Sequence, residues 1–536
     1  MWKATLRRPG VPAAIAAGCF LLLATACAGS SSGSGATGGT GGGSTAASQA
    51  GQTPVNGGTL RVAHNTHVTS LDPVFSVSGN DKVILFEIYD RLFDFNPQTM
   101  LPTPGLASSY KFVTPTDMRL TLRQGVKFQD GTPFNAAAVQ FSLNRGIHDS
   151  GSDVALDLND IKQITTTGDY TVDLLLSKPD SALPEVLSDN DGMIVSPTAV
   201  KKYGDANFAK HPVGAGPFEV KTFNYNQYVD LVRSPDYWQG QAHLAGINFT
   251  VISNPQAAVN ALETGEEDFI DKVDVSSLAK LNTMENVTVA KTPSLGILRC
   301  RLQSSKGPLA SQQVRQALFY GVDDSAINKI ANGGLGSPTS MLIPPQSWAY
   351  PKGVDGWAAY DPAKAKAMLA AAGVKGTLTL TAEVDTTPVW TSIGDALKAQ
   401  LAPAGINLVV TPVDPSVAQT QFVNDDKYDM WCNNYAGRPD PSEAFNQNVD
   451  PGSALVAPYT VTPDLAAALT QVTSAQDQAG RQQAVAAVSE IAIKEQARVL
   501  PFASIVSLQA YSGKLHGYVP NLGGNPILYN AWLSPS

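Results

Sequence analysis

The chain has 536 residues, 43% apolar and 15% charged, with a formal net charge of -9. That length exceeds what one hydrophobic core usually holds, so two or three domains are expected. The acidic balance excludes the basic stripe of a nucleic-acid partner, and the apolar fraction excludes disorder over most of the chain.

Lys3, Arg7 and Arg8 precede an apolar run from Val11 to Ala24, which ends in the small residues Ala24-Thr25-Ala26 before Cys27. About fourteen residues are too few to span a bilayer core of roughly 30 Å, which takes about twenty. The pattern is that of an export signal, residues 1–26. Its removal takes away three cations and no acid, which lowers the net charge from -9 to -12. Ala28 to Asn56 holds no charged and no aromatic residue, only Gly, Ser, Thr, Ala and a few others. Such a stretch has too little apolar surface to offset its ordering entropy, and as a coil it reaches about 30 Å.

The folded body starts near Gly57. Gly58 to Ala63, Met118 to Arg123 and Tyr170 to Leu176 alternate like strands. Asn254-Pro255 opens a helix that Gly265 closes; Ser311 to Gly321 and Asp361-Pro362 to Gly373 have the same punctuation. Between 376 and 433, strands (Thr377 to Val384, Ile406 to Val413, Tyr428 to Asn433) alternate with helices (Trp390 to Ala402, Val417 to Val423). That order predicts a βαβ lobe with a mainly parallel sheet, and ligands of such sheets lie beyond the carboxyl ends of the strands. A last helix, Ala479 to Gln496, precedes a strand near Leu500 to Ala510.

Leu23-Ala24-Thr25-Ala26-Cys27 resembles the lipobox of bacterial lipoproteins, with Ala24 where leucine is usual. The resemblance implies a diacylglycerol thioether on Cys27 and a tether over 27–56, holding the body at the extracytoplasmic face of the cell membrane. Further motifs, in order along the mature chain, resemble the extracellular solute-binding proteins of family 5, the peptide and nickel receptors of ABC importers. They are Ser70-Leu71-Asp72-Pro73, Leu122 to Ala136 (LRQGVKFQDGTPFNA), Pro212 to Phe218, Asp236-Tyr237-Trp238 and Ala261 to Asp268. The resemblance implies an α/β fold of the periplasmic-binding-protein type II kind (large cluster C): two main lobes plus an extra domain, hinged by two strand crossings. Domain I is expected over 57–75, 216–299 and 509–536, the domain II insertion over 76–215, and domain III over 300–508. It also implies a non-enzymatic monomeric receptor without cofactor, whose partners are a peptide-like solute and the permease. Locally, the Asp130-Gly131 turn and the Asn135 cap mark the family signature as scaffold.

Trp431 to Pro441 resembles the family's cleft loop. Asn434 stands where peptide receptors carry the aspartate that pairs with a peptide amine, and asparagine offers only a neutral carbonyl. This keeps oligosaccharides, opines and metal chelates open as ligands. Arg438 is read either as a bidentate partner for a ligand carboxylate or as a loop arginine paired with Asp440, and Asp440-Pro441 as turn chemistry. Trp390, Trp431 and Tyr435 are candidate walls, with core packing as the alternative. His67 is a candidate polar cleft residue and His64 a solvated strand position. The two histidines form a His-x-x-His pair that lacks the further ligands of a transition-metal site. Cys300 and Cys432 are an even pair in an oxidising compartment; the resemblance places Cys432 at a disulfide position, with two free thiols as the alternative. Ser108-Ser109-Tyr110-Lys111 with Ser188-Asp189-Asn190 suggests a serine hydrolase of the penicillin-recognising kind, but its Lys-Thr-Gly element is missing.

Overall fold

The computed structural model describes residues 53–535, apart from Val77 and Tyr225. The signal, Cys27 and the tether up to residue 52 lie outside the described residues.

A ten-stranded mixed sheet is the backbone of the body. From one edge to the other its strands are Ile406–Val413, Leu378–Asp385, Met430–Tyr435, Val287–Leu302, Val499–Ser512, Phe269–Ile270, Thr59–His64, Gly246–Val251, Tyr228–Arg233 and Phe218–Asn224. The expected βαβ segment is present: Leu378–Asp385 pairs in parallel with both Ile406–Val413 and Met430–Tyr435. Two strands are far longer than the rest, 16 and 14 residues, and pair antiparallel over nearly their whole length. Their register slips between Pro293 and Ile297. On one side of that slip Ile297, Cys300, Leu302, Val499 and Phe502 enter a core built from residues 297–503. On the other side Val287, Val289 and Ala510 pack in a cluster with Val259, Leu262 and Leu281. Two antiparallel strands are therefore the shared span between separate cores.

A four-stranded antiparallel sheet, in the order Ala107–Thr114, Asp117–Leu122, Thr171–Leu176, Ile161–Thr166, forms a further core under the helix Ala136–His148. Asn135 caps this helix, accepting from the Ala138 amide at 3.1 Å. Helix Pro255–Thr264 starts at Asn254 and ends at Gly265 in the left-handed region, as its punctuation predicts.

The family-like motifs act as fasteners. Asp72 holds the Arg145 guanidinium through two bonds of 2.8 and 2.6 Å. Gln129 donates to the carbonyls of Ile88 and Phe218 and accepts from the Gly214 amide. A Cβ on Gly214 would meet the Ile88 oxygen at 2.2 Å, so only glycine fits this approach. Asp90 receives Tyr237 Oη and Trp238 Nε1, and Asp268 receives Arg61.

Two expectations need correction. His64 is not solvated: it is fully buried, and its Nδ1 lies 2.5 Å from Asp271 Oδ2, a partner 207 residues away. The segments 417–423 and 479–496 are not uniform α-helices; each widens into a π-helical turn, Thr420–Asn424 and Ser489–Glu495.

Candidate functional site

The strand Met430–Tyr435 ends at the cleft loop, whose path Gly437 permits: a Cβ there would strike the Leu295 backbone at 2.2 Å. The chain then enters the helix Pro441–Asn448, capped by Asp440 in a capping box with Glu443. Asp440 is thus turn chemistry, as expected, and it also pairs with Arg481.

Between this region and the segment 152–159 lies a cavity of about 740 Å³. Trp431, Asn434, Tyr435 and Arg438 line it together with Asp157, Arg299 and Arg301. Trp390 and His67 do not. Trp390 is 2% exposed within the 297–503 core, where the helix Pro388–Leu401 presents it to the sheet. His67 is solvent-exposed and does not line this cavity.

Arg438 pairs with neither a free loop position nor Asp440. Its Nη1 donates to Asp189 Oδ2 and Asn190 Oδ1, both at 3.1 Å, from a segment 249 and 248 residues away. Asp189 also receives Lys82 Nζ, so one carboxylate lies between two buried cations. Burial works to raise the Asp189 pKa, but Lys82 and Arg438 outweigh it and hold the carboxyl far below the ordinary carboxylate range. The Ser188-Asp189-Asn190 run therefore serves as a contact between the segment that packs against the insertion core and the cleft loop. Nearby, Arg481 reaches Glu185 at 3.4 Å, and the Ser181 amide donates to the Thr473 carbonyl at 2.7 Å.

Asp157, Asp191 and Glu443 bring carboxylate oxygens within 4.8 Å of one another beside this ion pair. Burial, with the neighbouring acids, raises all three, and Asp191 reaches about 8. Arg438 Nε stands 4.0 Å from Glu443, so its positive charge already occupies the flank where a metal ion would have to compete.

On the same sheet face as Trp431 and Asn433, Arg299 and Arg301 project from the long strand Val287–Leu302. Arg299 Nε donates to Asn448 Oδ1 and its Nη1 to the Asn433 carbonyl at 2.8 Å. Arg301 Nη2 donates to the Gln447 carbonyl at 3.0 Å, and its guanidinium stands 4.4 Å from the Trp431 ring centroid. Cys300, between them, is bonded to Cys432 on the adjacent strand. Sequence reasoning passed over both arginines, although their signal was available: two cations at i, i+2 inside the apolar run Leu295 to Leu302.

Comparison with known proteins bears on this architecture. Residues 102–454 match the family "Bacterial extracellular solute-binding proteins, family 5 Middle". The glutathione-binding protein GsiB of Escherichia coli O1:K1 / APEC is 32% identical over 372 residues, 66% of this chain and 69% of the relative. Among solved structures, the periplasmic binding protein DppA from Helicobacter pylori, in complex with peptide STSA, superposes with a TM-score of 0.79. It is 22% identical and covers 89% of this chain and 98% of its own. The oligopeptide-binding protein AppA from Bacillus subtilis, in complex with a nonapeptide, also gives 0.79 at 21% identity, covering 90% and 100%. These neighbours share the type II periplasmic-binding-protein fold, and the chain belongs to the bacterial extracellular solute-binding proteins of family 5, which are ABC-transporter receptors and not enzymes.

Proposed function

We propose that the chain is the lipid-anchored receptor of an ABC importer, and that it captures a short peptide-like solute in the cavity beside the cleft loop. The observation that carries this reading is the cavity itself: about 740 Å³, within the roughly 300–1,000 Å³ of small-molecule sites, and lined in part by Arg438, which Asp189 holds in place. The peptide and glutathione ligands named for its relatives give the chemical class.

In this reading 57–75, 216–299 and 509–536 form domain I, 76–215 domain II and 300–508 domain III. The separate cores and the two long shared strands support the division. Lobe closure expels water from the cavity, and the solute shifts the open–closed equilibrium only through its differential affinity for the closed form. Trp431, Asn434 and Tyr435 wall the solute, while Arg438 holds the lobes together. His67 and Trp390 have no ligand role.

Native mass spectrometry of protein purified without denaturation tests the reading, followed by small-angle scattering with and without a peptide pool. The expected result is a co-purified or added peptide and a reduced radius of gyration. An oligosaccharide or metal chelate in the spectrum, or no compaction with any peptide, overturns it.

A further inference from the structure

Arg299 and Arg301 are 2% and 4% exposed, yet neither forms an ion pair among the described residues. Every hydrogen bond they make goes to a neutral oxygen: the Asn433 carbonyl and amide oxygen, the Asn448 amide oxygen and the Gln447 carbonyl. A carbonyl oxygen orients a guanidinium but leaves its charge uncompensated, and a desolvated cation without a counter-charge is costly. Burial pushes Arg299 down to about 9 and holds Arg301 well below the ordinary guanidinium range, and the like charge of Arg299 adds to the shift at Arg301. Such a cost at two adjacent positions on one wall of a cavity needs an explanation that the chain's own residues do not provide.

A third group points the same way. The Tyr435 hydroxyl is buried and has no hydrogen-bond partner among the described residues, although Tyr435 lines the same cavity and pairs across the strands with Ile297, two residues before Arg299. Arg299 Nη2 likewise makes no hydrogen bond within the described residues. The wall thus presents spare donors and positive charge. Three other buried arginines, Arg145, Arg438 and Arg481, meet carboxylates. Arg315 is also buried without an ion pair among the described residues, but it is wrapped by the main-chain carbonyls of Leu309, Ala310, Gln496 and Ala497 and does not line this cavity. Because Arg438 is already engaged with Asp189, it is not the group left to meet a ligand anion.

We propose that Arg299, Arg301 and the Tyr435 hydroxyl form an anion subsite that grips a carboxylate of the bound solute, so that the receptor selects peptide-like ligands with a free carboxylate. The inference rests on the peptide-receptor reading and adds to it the ligand's charge and its direction in the cavity. Two guanidinium forks can meet one carboxylate from both sides, and the anion replaces the counter-charge that the apo wall lacks. Asn433, which accepts from both arginines, positions the forks. Trp431 stacks on Arg301 and limits its rotamers, so less freedom is lost when the ligand binds.

The test is calorimetric titration of the full mature protein, stripped of bound ligand. The probes are the tetrapeptide Ser-Thr-Ser-Ala and glutathione, each as the free acid and as its fully amidated form. Wild-type protein is expected to bind at least one free acid, and the matching amide about tenfold more weakly or worse, the loss typical of a charged hydrogen bond. Arg299→Gln and Arg301→Gln are expected to weaken the acid by a similar factor and to leave the amide unchanged. Arg301→Met adds a readout that a purely structural guanidinium would not give: with the uncompensated cation gone, the ligand-free Tm rises while acid binding falls. Arg299→Lys and Arg301→Lys replace the glutamine variants if those do not fold, and are expected to recover part of the acid preference. Equal binding of acid and amide, or variants that bind the acid like wild type, overturns the subsite and leaves the peptide receptor standing. If no probe binds the wild type, the peptide reading itself falls, and this inference with it.

Discussion

Asp189 concentrates the site's electrostatics in one side chain. It faces Lys82 from the helix Gly79–Ile88 and Arg438 from the cleft loop, all three buried. Its depressed pKa contributes stability that is present above the unfolded value of about 3.9 and is lost as pH falls toward the much lower folded value. Asp189→Asn leaves two buried cations without a counter-charge, which typically costs about 3–5 kcal/mol. Because the pair ties the cleft loop to a segment 249 residues away in sequence, the expected result is a lower urea midpoint together with a larger radius of gyration. An unchanged midpoint would show that the pair is not what holds the cleft loop. Asp191 works with the opposite sign. Burial first, then Asp157 and Asp189, raise it to about 8, so its share of stability is complete below about 3.9 and is lost as pH rises through 8. The Tm of Asp191→Asn is therefore expected to fall less than that of the wild type between pH 5 and pH 9, read by scanning fluorimetry. Parallel curves would assign the slope to other groups. Neither acid was legible as a site residue: Asp189 sat in a motif suggesting a hydrolase, and its partner Arg438 lies 249 residues further on. Local patterns report caps and turns, as at Asp440; they carry no signal for a long-range pair such as His64 with Asp271.

At the scale of elements, the link between Cys300 and Cys432 fastens the end of the long strand Val287–Leu302 to Met430–Tyr435 across 132 residues of sequence. The cysteines point into the 297–503 core, and the alternation of a strand then places Arg299, Arg301, Trp431 and Asn433 on the opposite face. The bond therefore constrains the unfolded chain and fixes the register of the cavity wall. Replacing both cysteines by serine is expected to cost about 2–4 kcal/mol in urea unfolding and to weaken solute binding as the wall loosens. A loss of stability with unaltered affinity would confine the bond to the first role. Most strands and helix starts could be read from the sequence, because alternation and capping residues are local signals, as at Asn254 and Asn135. The π-helical turns could not. Their apolar residues continue the periodicity of the preceding α-helix, while the widening from i→i+4 to i→i+5 bonding leaves no mark in the residue pattern.

The whole molecule is an acidic body attached to an N-terminal segment of different character. With residues 1–26 removed, as the proposed export signal implies, a net charge of -12 would give the body no attraction to an anionic membrane surface, and among the described residues no helix is long and apolar enough to cross a bilayer. In the proposed lipoprotein reading, attachment depends on Cys27 and what is joined to it. A single acyl chain gives only marginal, reversible binding, whereas two chains anchor stably, each buried methylene adding about 0.8 kcal/mol. A diacylglycerol thioether supplies two. A tether of about 30 Å reach would let the body meet solute and permease without leaving the surface. Cys27→Ser removes the only thiol at the end of the apolar run and with it the site of the thioether. The variant is expected to leave the membrane fraction and to bind solute as the wild type does, because the cavity begins more than a hundred residues later, near Ser152. Fractionation with mass analysis of the N-terminal peptide decides it: a serine variant that stays with the membrane, or a wild-type peptide without the mass of the lipid, would refute anchoring through Cys27.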